Sequence, residues 1–185
     1  MVTFSPAQSK SDLESILTLQ RQNLRQFLSP EEMQDQGFLT ASYTLDFLQE
    51  MHEASEHIVA KDGERVVGYT LGLTPEFLPR DPVFESYLMA IQQMSWKGKP
   101  LMEYAPLIVG QLCVDKSYRG QGLVDGLYQA CRTHHAKKFD FLLSDVSSLN
   151  PRSFRAHQRV GFLPLAEFPD AFTGETWHIL LWDWA

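Results

Sequence analysis

The chain carries only two cysteines, Cys113 and Cys131, in 185 residues. A small secreted scaffold stapled by disulfides needs more. One cysteine lies in an apolar stretch and the other in the amphipathic stretch after it, so both are expected as small core residues in a reducing compartment. Metal-ligand spacing is also missing: the adjacent pair His134-His135 has no partner at a suitable interval, and no metal site is expected. No apolar run approaches the ~20 residues of a membrane span. The N-terminus lacks the pattern of a signal peptide, and a cytoplasmic protein is expected. Basic residues are in the minority, 16 Lys and Arg against 23 Asp and Glu, for a net charge of −7. That balance disfavours nucleic acid or an anionic membrane as the main partner, but leaves room for a local basic rim. Repeats, low-complexity tracts and linkers are lacking, so a single domain over 1–185 is expected, long enough to bury a full core.

What the chain does have is a glycine turn between a strand and a helix. The apolar run Leu107 to Val114 reads as a strand. Leu123, Leu127, Tyr128 and Cys131 then recur at helical spacing. Between them lies Asp115-Lys116-Ser117-Tyr118-Arg119-Gly120-Gln121-Gly122. Glycine without a Cβ lets a ligand approach the backbone. The first amides of the following helix lack partners and sit at its positive end. Such a turn can cradle a phosphate, with Arg119 as a charged fork at its rim. A Walker loop is excluded because Gly-Lys-Ser/Thr is absent. A dinucleotide fingerprint fits poorly, since Asp125 stands at the third glycine position, Gly126 comes one residue late, and the turn starts too far after Val114.

The segment Arg119-Gly120-Gln121-Gly122-Leu123-Val124 resembles the acetyl-CoA motif of the GCN5-related N-acetyltransferases, the GNAT family, with Val124 where the family has Gly or Ala. Some thirty residues on, Asn150-Pro151-Arg152-Ser153, then His157 and Gly161-Phe162, resembles the family's next motif, with His157 in the place of a tyrosine. The helix signals there stand independently: Asn150 is a good N-cap, Pro151 suits the first helical position and Gly161 suits the stop.

The resemblance implies an α+β fold of the GNAT type: a mixed, mostly antiparallel sheet of six or seven strands with helices on both faces. It implies that two parallel strands splay apart and admit the pantetheine arm of acetyl-CoA as an added strand. Backbone contacts from Leu112, Cys113 and Val114 would follow, with the pyrophosphate on the amides of Gln121, Gly122, Leu123, Val124 and Asp125. Arg119 and Gly120 would lie beside them, and Asn150 and Ser153 at the cofactor's amide region. His157 would be the acid that protonates the leaving thiolate; its alternative is a histidine that only packs and hydrogen-bonds. No acid lies on Leu107 to Val114, so the general base is left open, with Glu76, Glu85 and Glu103 as weak candidates.

Elsewhere, Val2 to Ser5 reads as a strand. Ser11-Asp12-Leu13-Glu14 reads as a capping box opening a helix that ends near Pro30, followed by a loop over Met33 to Thr40. Leu45 to Met51 reads as a helix capped by Thr44. His57 to Ala60 and Arg65 to Leu73 read as a hairpin around Asp62-Gly63. Thr74 to Leu101 is long; Pro75, Pro79 and Pro82 hold its start open, and Phe84, Tyr87, Leu88 and Ile91 follow at helical spacing. It is either a helix patching the core or a lid. Gly122 to Lys138, Phe141 to Val146 and Pro151 to Val160 read as helix, strand and helix, and Phe162 to Phe168 with Trp177 to Trp184 as a closing antiparallel pair. The expected activity is acetyl transfer from acetyl-CoA, without a metal, to a primary amine of a small molecule or peptide, with a homodimer left open. The alternative is a catalytically silent module that binds acyl-CoA; Val124 and His157 favour it.

Overall fold

In the computed structural model, which describes residues 1–80 and 84–184, the chain opens with strand β1 (Val2–Pro6) and helix α1 (Lys10–Arg21). The cap of α1 is Ser9 rather than Ser11: the Ser9 hydroxyl accepts from the Asp12 N–H at 3.2 Å. The Asp12 carboxylate turns back to accept from the Gln8 N–H at 2.8 Å and pairs with Lys61 at 2.6 Å. The helix stops well before Pro30. Asn23 donates its side-chain amide to the Leu19 carbonyl at 2.8 Å, and the chain turns away. Leu24 is buried there, but Phe27 remains exposed, so the apolar face does not continue.

Pro30 begins a helix instead of ending one. Ser29 and Glu32 form a reciprocal capping box at the head of α2 (Pro30–Gln36), with proline at the first turn, where its missing N–H costs nothing. Helix α3 (Leu45–Ala54) follows its Thr44 cap as expected. The hairpin of β2 (Ile58–Asp62) and β3 (Arg65–Leu73) turns at Gly63.

The long insertion folds as a 3₁₀ segment (Pro75–Arg80), helix α4 (Glu85–Gln92) and a small hairpin of β4 (Ser95–Trp96) and β5 (Lys99–Pro100). Phe84, Tyr87 and Ile91 are buried in the core, so the segment patches it. Pro82, expected to hold the chain open, lies outside the described residues. Then come β6 (Pro106–Val114), α5 (Leu123–His135), β7 (Phe141–Ser147), α6 (Pro151–Val160), β8 (Leu163–Pro169) and β9 (Thr176–Asp183).

Seven strands form one sheet in the order β1-β2-β3-β6-β7-β9-β8. Every pairing in it is antiparallel except β6 with β7, the pair joined through α5. One face packs on α1, α3 and α4 through residues such as Ile16, Leu48, Met51 and Tyr87. The other packs on α5 through Leu123, Leu127, Tyr128 and Cys131. Both cysteines are free and buried. Gly126 owes its place to packing: a Cβ there would stand 2.3 Å from the Phe4 ring, so glycine lets α5 lie close on β1.

What positions the site is a parallel pairing that stops early. β6 and β7 are in register only from Pro106 opposite Phe141 to Ile108 opposite Leu143. Beyond that point β6 stays on β3 and β7 stays on β9, and a gap opens between them. The register of β3 with β6 shifts at Leu71/Gly72, opposite Gly110. Such a bulge bends the strand and sharpens its divergence.

Candidate active site

The gap opens on one side into a cleft of about 460 Å³, walled by the C-terminal end of β6, the glycine turn, the first turn of α5 and one face of α6. Gly120 and Gly122 have φ of +75° and +80°, left-handed values that other residues adopt only with strain. Nothing lies within 4 Å of where a Cβ would stand on either, because both border open space. Gly122 is the N-cap of α5, and the N–H groups of Leu123, Val124 and Asp125 have no acceptor within the helix. These amides and the positive end of the helix suit an anion.

Charge at the cleft opposes that of the whole chain. Four arginines, Arg119, Arg152, Arg155 and Arg159, line it beside a single carboxylate, Asp125. Three of them sit on α6 at i, i+3 and i+7, one stripe of the helix. Sequence reading missed this stripe, although the spacing was visible. Arg159 pairs with Asp125 at 3.2 Å, and Arg152 donates to the Asp35 carbonyl at 2.9 Å.

Arg119 is held more tightly than a free fork at the rim. It donates to the Val114 carbonyl at 3.0 Å, to Gln36 Oε1 at 3.0 Å and to Asn23 Oδ1 at 2.6 Å. All three acceptors are neutral, so the guanidinium ties the end of α1 and α2 to the end of β6, with no carboxylate paired to it among the described residues. Burial lowers its pKa somewhat from the ordinary arginine value, which leaves it cationic at neutral pH.

The three expected backbone contacts on β6 divide by direction. Asp115 N–H donates to Val67 O at 2.9 Å, toward β3. Alternate residues point the same way, so Cys113 turns its backbone to β3 while Leu112 and Val114 direct theirs into the gap. Gln121 lies on the exposed outer turn, its side chain donating to the Ser117 carbonyl at 3.0 Å. Asn150 accepts from the Ser153 N–H at 3.2 Å as the N-cap of α6 and donates to the Phe38 carbonyl at 3.3 Å. It thereby joins α6 to the loop after α2, where Gly37 makes close room for it: a Cβ on Gly37 would stand 2.8 Å from Asn150 Oδ1.

On the opposite side the gap narrows to a pocket of about 90 Å³, shared by the bulged part of β6, the end of β7, Phe38, Phe84 and Trp177. Its wall over β6 is held by a buried amide network. Gln111 donates to the Ala41 carbonyl at 2.9 Å and accepts from Tyr69 at 2.6 Å and Gln20 at 2.9 Å; the Tyr43 hydroxyl donates to Gly110 O at 3.0 Å. The loop from Phe38 to Tyr43 is therefore fixed over the bulge.

The model of the family described as Acetyltransferase (GNAT) family matches residues 14–162. The chain belongs to that family. No curated protein matches it by sequence. Among solved structures, it is similar to Arabidopsis thaliana NAA60 in complex with acetyl-CoA (16% identity, 99% of both chains, TM-score 0.66). It is similar also to the ribosomal-protein-S18-alanine N-acetyltransferase from Escherichia coli (12% identity, 100% of this chain and 95% of that one, TM-score 0.64). A third is the NatC complex bound to Gag peptide and CoA (13% identity, 98% of both chains, TM-score 0.65). At these identities the likeness is one of fold. The seven-stranded mixed sheet with helices on both faces is the GNAT-type α+β architecture expected from the motifs.

Within this family the chain departs at His157. The ring is buried, on the α5 side of β7. Nδ1 lies 2.8 Å from the Ser153 carbonyl, which can only accept, so Nδ1 carries the proton. Nε2 then accepts from the Tyr128 hydroxyl at 2.7 Å, with Ser144 Oγ at 3.1 Å. Burial lowers its pKa to about 4 and keeps it neutral. This geometry withholds the free N–H that a general acid would present to the cleft. Ser153 is occupied likewise: its carbonyl serves His157 and its N–H serves Asn150.

The acid that sequence reading sought on β6 lies on β7 instead. Asp145 follows Ser144 and faces the opposite side of the sheet, into the narrow pocket. A carboxylate in the apolar run Phe-Leu-Leu-Ser-Asp-Val was the available signal. Glu76, Glu85 and Glu103, the candidates weighed from the sequence, do not line either cavity. Among the described residues no group of His, Cys, Asp and Glu could hold a metal ion, and no helix is long and apolar enough to cross a membrane.

Proposed function

We propose that the protein, acting as one domain over its whole length, is an acetyl-CoA-dependent N-acetyltransferase that acylates a primary amine in the cytoplasm. The observation that carries this reading is the early end of the β6–β7 pairing beside the glycine turn. It leaves one cleft that suits an extended, polyanionic arm and a second, smaller pocket at the other mouth of the same gap. Acetyl-CoA supplies the activated acetyl group as a thioester. The chain's own residues bind and orient it: the α5 amides and the arginines of α6 take the phosphates, and the backbone of Leu112 and Val114 offers hydrogen bonds along the gap. Asn150 and Ser153 border both cavities. His157 enters as the hinge of a hydrogen-bonded cluster beneath them. Both a peptide amino terminus and a small-molecule amine fit a reaction whose acceptor enters by the narrow pocket; the similar structures whose names mention a ribosomal-protein alanine and a Gag peptide lean toward the former.

The test is a thermal shift with acetyl-CoA, which should stabilise the native state it binds, followed by CoA-thiol release with a panel of primary amines. Gly122→Glu should abolish the shift, because it puts bulk, strain and negative charge where the phosphates would lie. A shift of wild-type size in that variant would overturn the cofactor assignment. A full shift with no thiol release from any amine would favour the second reading, an acyl-CoA-binding module, which the tethered His157 also suits.

A further inference from the structure

Asp145 is out of place for a structural residue. It sits on an inner strand, half-buried, just past the last paired residues of β6 and β7, and it lines the narrow pocket. No cation or hydrogen-bond donor from another residue meets its carboxylate among the described residues. Among the described residues, the cation beside these walls is Arg25, which lies over the Phe38 ring and is paired with Glu175. From α4 comes Tyr87, whose wholly buried hydroxyl has no hydrogen-bond partner and whose pKa is raised by burial and by the nearby Asp145 charge. From the β8–β9 turn come Asp170, bonded to Thr173, and Glu175, which pairs with Arg25 and accepts from Ser147. β6 contributes the neutral Gln111, committed to its own network, and α6 contributes the neutral His157, which borders the pocket with its ring nitrogens engaged by Ser153, Tyr128 and Ser144. Phe38, Phe84 and Trp177 supply aromatic walls.

We propose that Asp145 receives the acceptor's ammonium group and takes up its proton, and that the acceptor is a primary amine carried on a small, uncharged end. This rests on the N-acetyltransferase reading above. An unpaired carboxylate among aromatic faces suits an ammonium, which can be held by charge and by the rings together. A narrow pocket of about 90 Å³ with aromatic walls suits an aminomethyl or alanine-like end. The ammonium gives one proton to Asp145. The neutral nitrogen attacks the thioester carbonyl, the C–N bond forms as the C–S bond breaks, and the nitrogen's surplus proton leaves with the sulfur as the CoA thiol. Asp145 then returns its proton to solvent. Burial first, and then the charge of Asp170, push the carboxyl up to about 7, which suits a group that must gain and lose a proton at neutral pH.

Two amines test this: alaninamide, which is protonated over much of the neutral range, and 2,2,2-trifluoroethylamine, which is largely unprotonated there. In the wild type, kcat/KM for alaninamide should rise with pH through an apparent pKa near 7. Asp145→Asn should keep the full acetyl-CoA thermal shift, lose about 100-fold in kcat/KM with alaninamide and lose less than about tenfold with trifluoroethylamine. Equal losses with both amines, or activity within about threefold of wild type with alaninamide, would overturn the proposal while leaving wild-type turnover, and so the N-acetyltransferase reading, intact. No turnover of either amine by acetyl-CoA-bound wild type would overturn it as well, and only that outcome reaches the parent reading. The wild-type pH profile does not depend on the variant folding: a flat profile from pH 6 to 8, where the carboxyl should titrate, also counts against Asp145.

Discussion

Ser144 and Asp145 are neighbours on β7 and both border the narrow pocket, yet their polar atoms meet two differently built surroundings. On the side of Ser144, every polar atom around His157 is accounted for: Ser153, Tyr128 and Ser144 meet its two ring nitrogens in a buried cluster. Around Asp145, a half-buried carboxylate and a buried tyrosine hydroxyl lack partners among the described residues. In both regions burial shifts an ionisable group toward its neutral form, but at opposite cost. A satisfied cluster returns its desolvation as hydrogen bonds and rigidifies the fold. An unsatisfied one keeps a standing penalty that a ligand can relieve. On our proposal, the position that motif register marks as catalytic, His157, is structural, and Asp145 carries the chemistry.

The sharpest way to break this contrast is His157→Phe. If the cluster is structural, the variant leaves the Tyr128 hydroxyl and Ser144 without their shared acceptor and should lose about 2–3 kcal/mol of stability at pH 7. Its kcat, measured while folded, should fall by less than about tenfold. The pH dependence carries the same signature. With a native pKa of about 4 against 6.5 in the unfolded chain, the unfolded state binds more protons between those values. The His157 contribution to wild-type stability is therefore full above 6.5 and falls as pH drops toward 4. The variant should lose part of that slope; His57, lowered to about 3, and His52 and His135, lowered by burial, act alike in both proteins. Urea unfolding at several pH values checks this. A loss of about 100-fold in kcat at wild-type stability would restore His157 as the acid.

Legibility in the sequence followed the same division. The cofactor side is made of backbone: a strand, two left-handed glycines, a helix start and an N-cap, each with a local residue signature. Arg119, Gly120 and Gly122 could be marked from the strand–turn–helix pattern, and Asn150 from the family resemblance, and the structure brings them to one cleft. The acceptor side is made of side chains from distant segments, Phe38, Phe84, Asp145 and Trp177 among them, and no local pattern links these. Boundaries were misread where capping chemistry competed. Pro30 reads as a helix end because proline breaks helices, but a Ser29 cap three residues before a glutamate makes the same proline a start. Ser11 and Ser9 offer equal hydroxyls, and only the tertiary pairing of Asp12 with Lys61 decides between them.

A smaller effect sharpens the contrast from the other side of β7. Asp145→Asn should stabilise the protein at high pH. The native carboxyl titrates at about 7 and the unfolded one near 3.8, so between these values the native state holds the extra proton. Stability then falls as pH rises through this window. Asparagine has no such penalty, so the gain should be absent below pH 4, grow through the window and level off above 7. Partial solvent access limits it to about 1–2 kcal/mol. Melting temperatures of both proteins at pH 4, 6 and 8 measure it. A variant less stable than wild type at pH 8 would mean that Asp145 has a stabilising partner, and the two faces of β7 would no longer differ in kind.

The smallest effect concerns Val124, the one departure from the family pattern within the glycine turn. Its side chain lines the cleft but also packs against the cluster beneath α5, so it faces both regimes at once. Its N–H belongs to the unpaired first turn of the helix, and glycine would keep that donor while opening the approach to it. Val124→Gly should cost about 1 kcal/mol through helix propensity, with a little more from lost packing. Acetyl-CoA affinity, by calorimetry on the folded variant, should stay the same or tighten by up to about threefold, because the contact that matters is backbone. A tenfold loss of affinity would show that the valine side chain itself grips the cofactor, and the cofactor side could then no longer be described by its backbone alone.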